Sequence, residues 1–119
     1  MARSVYAGAM RPTHTGRSAE YEIIARVTRG LGEAREPGAS FNALVHAVHD
    51  SRSLWTALAA DVSVDTNPLP IELRARIFYL SEFTAQHSRK VLAGEAPIDI
   101  LIDINTAVMR GLRGGVNEE

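Results

Sequence analysis

The stretch from Leu69 to Leu92 carries more apolar surface than one face of a helix needs. At about 3.6 residues per turn, two apolar stripes run along it, whereas a surface helix of a small domain normally has one. The stretch therefore predicts a helix that either is covered on both sides or keeps one stripe for a partner. The first stripe contains Leu73, Ile77, Leu80, Thr84, His87 and Val91, and the second contains Ile71, Ala75, Phe78, Ala85 and Leu92.

Three further helices are predicted by the same apolar spacing. They are expected over residues 18–35, 40–61 and 97–113. Ser18 and Ser40 are the expected N-caps of the first two, because a serine hydroxyl accepts a hydrogen bond from a free amide at a helix start. In the Leu69–Leu92 stretch, Pro70 is expected at the first helical position, where its missing N–H costs nothing, and Gly94 is expected to close the helix.

No segment shows the alternation of apolar and polar residues that is typical of a strand. The fold expected is therefore all-α, a small four-helix bundle or helical array. Residues 1–17 are expected to form an irregular N-terminal arm, residues 18–113 a single helical domain, and residues 114–119 a mobile tail. The apolar face of the second helix also includes Phe41 and Val45. The expected core side chains are Ile24, Val27, Leu31, Val48, Trp55, Leu58, Leu73, Ile77, Leu80, Leu101, Ile104 and Val108.

Composition excludes several classes of protein. The 119 residues include no cysteine, which rules out disulfides, thiolate metal sites and a cysteine nucleophile. The net charge of −1 creates no field that would attract nucleic acid or an acidic membrane. No run reaches the roughly 18 apolar residues that a membrane span requires. These features fit a protein of the reducing cytoplasm.

No catalytic or metal-binding set can be assembled from the sequence. His46 and His49 lie three residues apart on the polar face of the second helix, whereas a helical zinc pair has its histidines four apart and needs a further ligand. Phosphate-binding glycine loops and nucleophile elbows are missing. We therefore expect no enzymatic activity, no metal and no cofactor.

Asn105 interrupts the apolar stripe of the fourth helix. A buried amide must be hydrogen-bonded, or it costs about 1–3 kcal/mol of stability. Two interpretations stay open. Asn105 either makes a structural bond to a loop carbonyl or a neighbouring helix, or it is a specificity group in a groove that receives a partner.

Four segments, spread in order over the chain, together carry a family resemblance. They are residues 20–28, residues 54–61 with Leu54-Trp55, Leu58 and Asp61, residues 67–75 with Asn67, Leu69-Pro70 and Glu72-Leu73-Arg74-Ala75, and residues 101–112 with Leu101-Ile102-Asp103-Ile104-Asn105, Met109 and Gly111-Leu112. In this order they resemble the FlaF family, flagellar biosynthesis regulators of alphaproteobacteria, over roughly residues 4–113.

The resemblance implies a cytoplasmic, non-enzymatic protein that promotes flagellin production and export. It further implies a chaperone-like factor that binds flagellin, or another flagellar regulator, and acts alongside a separate translational repressor of flagellin messenger RNA. The alternative is contact with that messenger RNA, directly through Arg3, Arg11, Arg17, Arg110 and Arg113 or through the repressor protein. For a protein partner, the expected mode is a helix bound in an apolar groove. The residues expected to contact it are Ile71, Phe78, Tyr79, Phe83, Leu92 and Asn105.

Overall fold

Four helices follow one another along the chain, as the apolar spacing predicts. The computed structural model describes the backbone of residues 14–117 and the side chains of residues 20–111, and this part of the chain contains no strand. The all-α prediction is confirmed. The helices are α1 (His14–Arg35), α2 (Phe41–Val62), α3 (Ile71–Leu92) and α4 (Asp99–Asn117).

The turns between helices form where the sequence supplies capping residues. Ser40 is the N-cap of α2, and its hydroxyl accepts a hydrogen bond from the amide of Ala43 at 3.0 Å. This bond satisfies one of the amides that a helix start leaves unpaired. Gly38 and Gly94 follow α1 and α3 with φ of 94° and 77°, a conformation that glycine adopts without steric cost. The predicted Ser40 cap and the predicted glycine after α3 are confirmed.

Two predicted helix starts are wrong by a few residues. α1 begins at His14 rather than at Ser18, because a serine that suits an N-cap is also tolerated inside a helix. Pro70 is the N-cap of α3 rather than its first helical residue. Its backbone is extended, and its carbonyl already accepts the amide of Arg74 at 3.0 Å.

The end of α4 also differs from its prediction. The helix continues through Gly114 and Gly115 to Asn117, because glycine weakens a helix by only about 1 kcal/mol per residue. Residues 114–117 are therefore helical rather than part of the predicted tail. The rest of the predicted arm and tail, residues 1–13 and 118–119, lies outside the described residues.

α3 and α4 lie at the two ends of the packing order of the helices. α2 packs against both α1 and α3, and α1 packs against α4, whereas α3 and α4 touch at few positions. The short turns make consecutive helices antiparallel. An ion pair of 3.2 Å between Arg35 Nη1 and Asp99 Oδ2 joins the end of α1 to the start of α4, so these two helices are antiparallel as well. α3 is thus held along one side and is not covered on both.

Two buried clusters fill the space between the helices. One surrounds Trp55, and the other lies near the start of α4. Both draw on the apolar stripes that the periodicity identifies, so most of the predicted core is confirmed. The predicted core positions that are buried are Ile24, Leu31, Val48, Trp55, Leu58 and Leu101, and those that are half-buried against the clusters are Val27, Ile77, Leu80, Ile104 and Val108.

Three side chains predicted to face the core are exposed instead. Leu73 keeps 38% of its surface in solvent, because it lies in the first turn of α3 at one end of the bundle. Phe41 and Val45 lie in the first two turns of α2 and are exposed for the same reason. Apolar periodicity identifies the side of a helix, but it does not show how far along the helix its neighbours reach.

A buried hydrogen bond connects α2 to α4 through the interior. Trp55 Nε1 donates to Asn105 Oδ1 at 2.9 Å, and both side chains are buried. Asn105 Nδ2 is also buried and has no hydrogen-bond partner among the described residues. The structural interpretation of Asn105 is correct in kind, with a side chain of a neighbouring helix as its partner. Its prediction as a partner-binding residue is wrong, because a fully buried amide cannot reach another protein.

Replacing one partner of this bond should destabilise the fold more than the bond itself is worth. Asn105→Leu keeps the branched shape of the side chain but leaves the indole N–H buried without an acceptor, which we expect to cost about 1–3 kcal/mol. Trp55→Phe leaves Asn105 Oδ1 unpaired and adds a cavity. The double variant removes both polar groups, so its loss should fall short of the summed single losses by about 1 kcal/mol. Urea denaturation of the four proteins measures this coupling, and strictly additive losses would contradict it.

Candidate functional site

Large apolar side chains are exposed together on α3, and we call them the α3 surface. Ile71, Phe78 and Tyr79 are 74%, 45% and 66% exposed, and Leu73 and Phe83 each leave more than a third of their surface in solvent. Single exposed apolar residues are common, but a group of them on one helix marks an interaction surface. The exposure agrees with the predicted partner-binding role of Ile71, Phe78, Tyr79 and Phe83, which itself stays a prediction.

Small polar side chains lie between α3 and α2. Ser81 Oγ donates to the carbonyl of Trp55 at 3.3 Å, and Thr84 Oγ1 donates to the carbonyl of Ser81 at 3.0 Å. Thr84 and Ser88 are buried, and Ser88 Oγ has no partner among the described residues. Because these small residues take the positions that face α2, the aromatic side chains of α3 lie on its other sides.

The α3 surface has two sides, because successive helical residues are rotated by about 100°. The Phe78 side consists of Ile71, Ala75 and Phe78. The Tyr79 side consists of Tyr79 and Phe83, about a quarter of a turn away. Both sides point away from α2.

Leu92 belongs to the core rather than to the α3 surface. Periodicity groups it with the Phe78 side, but it is half-buried and packs against the cluster near the start of α4. Because the last turn of α3 lies beside that cluster, a residue on the flank of the helix is drawn into the interior there. Leu92 therefore offers less surface to a partner than Ile71 or Phe78, and its partner-binding role stays a prediction.

The side chain of Phe83 is held in place by that of His87. Its ring stacks on the ring of His87, with centroids 5.7 Å apart and an angle of 16° between the planes. His87 Nε2 lies 3.0 Å from the carbonyl oxygen of Pro97, and since a carbonyl can only accept, the nitrogen donates. This contact ties the last part of α3 to the turn before α4 and restricts the orientation of Phe83.

The start of α3 is fastened to the end of α2 by Arg74. Its Nε donates to the carbonyl of Val62 at 2.9 Å, and its Nη2 donates to the carbonyl of Val64 at 2.9 Å. The guanidinium thereby satisfies carbonyls that the end of α2 leaves without helical partners. Ile71 and Leu73 flank this anchor, so the exposed first turn of α3 has a defined position.

Asn67 organises the loop between α2 and α3. Its Nδ2 donates to Asp61 Oδ2 at 2.8 Å and to the Asp61 carbonyl at 3.2 Å, while its Oδ1 accepts the amide of Leu69 at 3.0 Å. Burial raises the pKa of the Asp61 carboxyl above its ordinary value, and the hydrogen bond from Asn67 opposes that shift. The predicted helices leave this segment between them and assign no role to Asn67 within it. In the sequence Asn67 precedes a proline, and an asparagine at such a position favours a turn in which its side chain hydrogen-bonds to the backbone.

The other candidate groups do not converge on a site. His46 and His49 are exposed on the polar face of α2, and the described residues contain no group of three or more side chains that would hold a metal ion. Arg110 is exposed on α4. Arg3 and Arg11, and the side chains of Arg17 and Arg113, lie outside the described residues.

These observations define a small protein, all-α in its described part, with exposed apolar side chains along one helix. The family model described as Flagellar protein FlaF matches residues 2–112, most of the chain. The chain therefore belongs to the FlaF family, as the resemblance indicates. No curated protein and no solved structure matches it significantly. None of the described helices is long and apolar enough to cross a membrane.

Asp61→Asn should stabilise the protein at neutral pH and lose this advantage in acid. Because the pKa of Asp61 is raised in the folded state, its stabilising contribution is present below the ordinary value of 3.8 and is lost as the pH rises through the folded value. At pH 7 the ionised carboxylate therefore opposes folding. The amide removes the charge and keeps an oxygen that accepts from Asn67.

The measurement is the difference in melting temperature between Asp61→Asn and the unchanged protein, followed from about pH 7 to about pH 3. We expect the difference to be positive at pH 7 and to shrink toward acid. A variant that is less stable at pH 7 would show that the charge of Asp61 is needed by the loop.

Proposed function

We propose that this FlaF protein binds flagellin in the cytoplasm, holds it before export and thereby promotes flagellin production without catalysing a reaction. The observation that carries the proposal is the exposed α3 surface in a chain of a flagellar family. Apolar surface of this kind is costly to leave in water, and a partner that covers it is stabilised by the burial. A protein subunit that will polymerise has assembly surfaces of its own, and these likewise need a partner that buries them before assembly.

The Phe78 side fits one amphipathic helix of the partner. Ile71, Ala75 and Phe78 are spaced by four and then three residues, so they form a continuous stripe along about two turns. Ala75 is the small member between two large ones and leaves a depression into which an apolar side chain of a partner helix can pack. Recognition of an amphipathic helix uses anchors at the same spacing.

Burial of Ile71 and Phe78 provides the affinity in this arrangement. Full burial of such a side chain contributes about 1.5–3 kcal/mol, and both retain much of that surface in solvent. Glu82 and Arg89 continue the stripe toward the end of α3 and are exposed. An asymmetric stripe, apolar at one end and charged at the other, gives a bound helix a preferred direction.

Phe78→Glu should abolish flagellin binding and leave the fold intact. Glutamate is a good helix former, and the position is exposed, so helicity and melting temperature should change little. Loss of the buried ring together with a charge in the apolar contact should weaken binding at least about 30-fold. Calorimetric titration with purified flagellin and circular dichroism of the variant measure the two effects.

Phe41→Glu is the matched control. It introduces the same change at an exposed phenylalanine on α2, where we expect flagellin affinity to be retained. Unfolding of Phe78→Glu would show that this face is part of the core. Undiminished affinity of Phe78→Glu would remove the Phe78 side from the binding site.

A further inference from the structure

A second stripe of side chains runs along α3 beside the one assigned to flagellin. Its members alternate in spacing between four and three residues, which is the spacing of the contact seam between paired helices. Every member is exposed. The stripe, which we call the seam, consists of Glu72, Arg76, Tyr79, Phe83, Gln86 and Lys90.

The aromatic members of the seam lie symmetrically about the middle of the helix. Tyr79 and Phe83 are each two positions from Ser81, one on either side. When two identical helices pair antiparallel about a two-fold axis, residues equally far from the centre face each other. With the axis at the level of Ser81, Tyr79 of each copy therefore faces Phe83 of the other. Four aromatic rings meet at the centre of the contact, where such residues contribute most.

The polar members of the seam have the same symmetry and complementary charge. Glu72 and Lys90 are each nine positions from Ser81, so each glutamate faces a lysine of the other copy. Arg76 and Gln86, each five positions away, pair a cation with a neutral amide that can accept its hydrogen bonds. Among the described residues, neither Glu72 nor Lys90 forms an ion pair within its own chain. Glu72 lies in the first turn of α3 and Lys90 in the last, so the opposed helix dipoles of an antiparallel pair favour the arrangement.

The stripe on the Phe78 side lacks this complementarity of charge. A two-fold axis at its middle, the level of Leu80, sets Ile71 against Arg89 and Phe78 against Glu82 of a second copy. A charge that faces an apolar side chain loses hydration on association and gains no partner. The charge pattern therefore distinguishes the two stripes and assigns self-association to the seam alone.

We propose that two copies of this chain associate through the seam, with their α3 helices antiparallel and crossing at the level of Ser81. The dimer covers the surface that Tyr79 and Phe83 leave in solvent. It leaves the Phe78 side open, because that side is about a quarter of a turn away on the helix. The dimer therefore carries two outward Phe78 sides, and it does not depend on the identity of the partner that binds there.

Charge reversal of the seam tests the proposal with the full chain. The unchanged protein should sediment with twice the 12.9 kDa mass of one chain at tens of micromolar. Glu72→Lys and Lys90→Glu, each alone, should weaken the dimer roughly tenfold or more, because two attractive pairs become two repulsive ones. The double variant restores both pairs with reversed signs and should recover the dimer. A monomer at all concentrations up to hundreds of micromolar would overturn the proposal.

The matched control reverses charges on the other stripe. Glu82→Lys with Arg89→Glu changes the same number of charges on α3, and Arg89 shares the last turn with Lys90, so the dipole cost is comparable. This control should leave the dimer constant unchanged. Pairing of Glu72 with Lys90 would be contradicted if the control weakened the dimer as much as the single seam variants do. It would also be contradicted if the double seam variant stayed monomeric while its melting temperature is normal.

Cysteine cross-linking tests the register, because the chain has no cysteine of its own. Arg76→Cys with Gln86→Cys in one chain places two thiols opposite each other in the dimer, and oxidation should join the copies. Arg76→Cys alone should not cross-link, because its two copies lie roughly 15 Å apart along the pair, beyond the reach of a disulfide. Equal cross-linking of both variants would overturn the antiparallel register.

Discussion

The hydrogen bond between Trp55 and Asn105 is the contact on which the bundle depends. It joins α2 and α4, and the cluster around the indole also receives side chains from α1 and α3. A polar pair in an apolar interior is satisfied in few arrangements, because any shift of α4 along its axis would leave both groups buried and unpaired. The bond thus selects one register among the several that apolar stripes alone would allow.

The position of α3 follows from this arrangement. α3 packs along its length against α2, and it is fixed at its start by Arg74 and near its end by His87. Its small polar residues and the apolar Ile77 and Leu80 face the interior, whereas Ile71, Phe78 and Tyr79 are exposed. The same helix therefore supports a stable fold and presents surface to other molecules, since no side chain has to serve both purposes.

Much of this could be predicted from the sequence, because helical periodicity reports burial directly. The four helices, the Ser40 cap and the central place of Trp55 follow from local patterns. Exposure of Leu73 could not be predicted, since it depends on where neighbouring helices end. The role of Asn105 likewise depended on a partner 50 residues away, which no local pattern identifies. Periodicity showed that α3 has apolar surface to spare, but only the packing order showed which side remains open.

The packing of the first helix against the last determines when this protein can fold as it is made. Of the four described helices, α1 leaves the ribosome first and its partner α4 leaves last. Until then the indole of Trp55 has no acceptor, and the cluster beside it is open to solvent on one side. The core therefore closes only after α4 has been synthesised, so a product that stops before α4 exposes Trp55 and is a ready substrate for proteolysis.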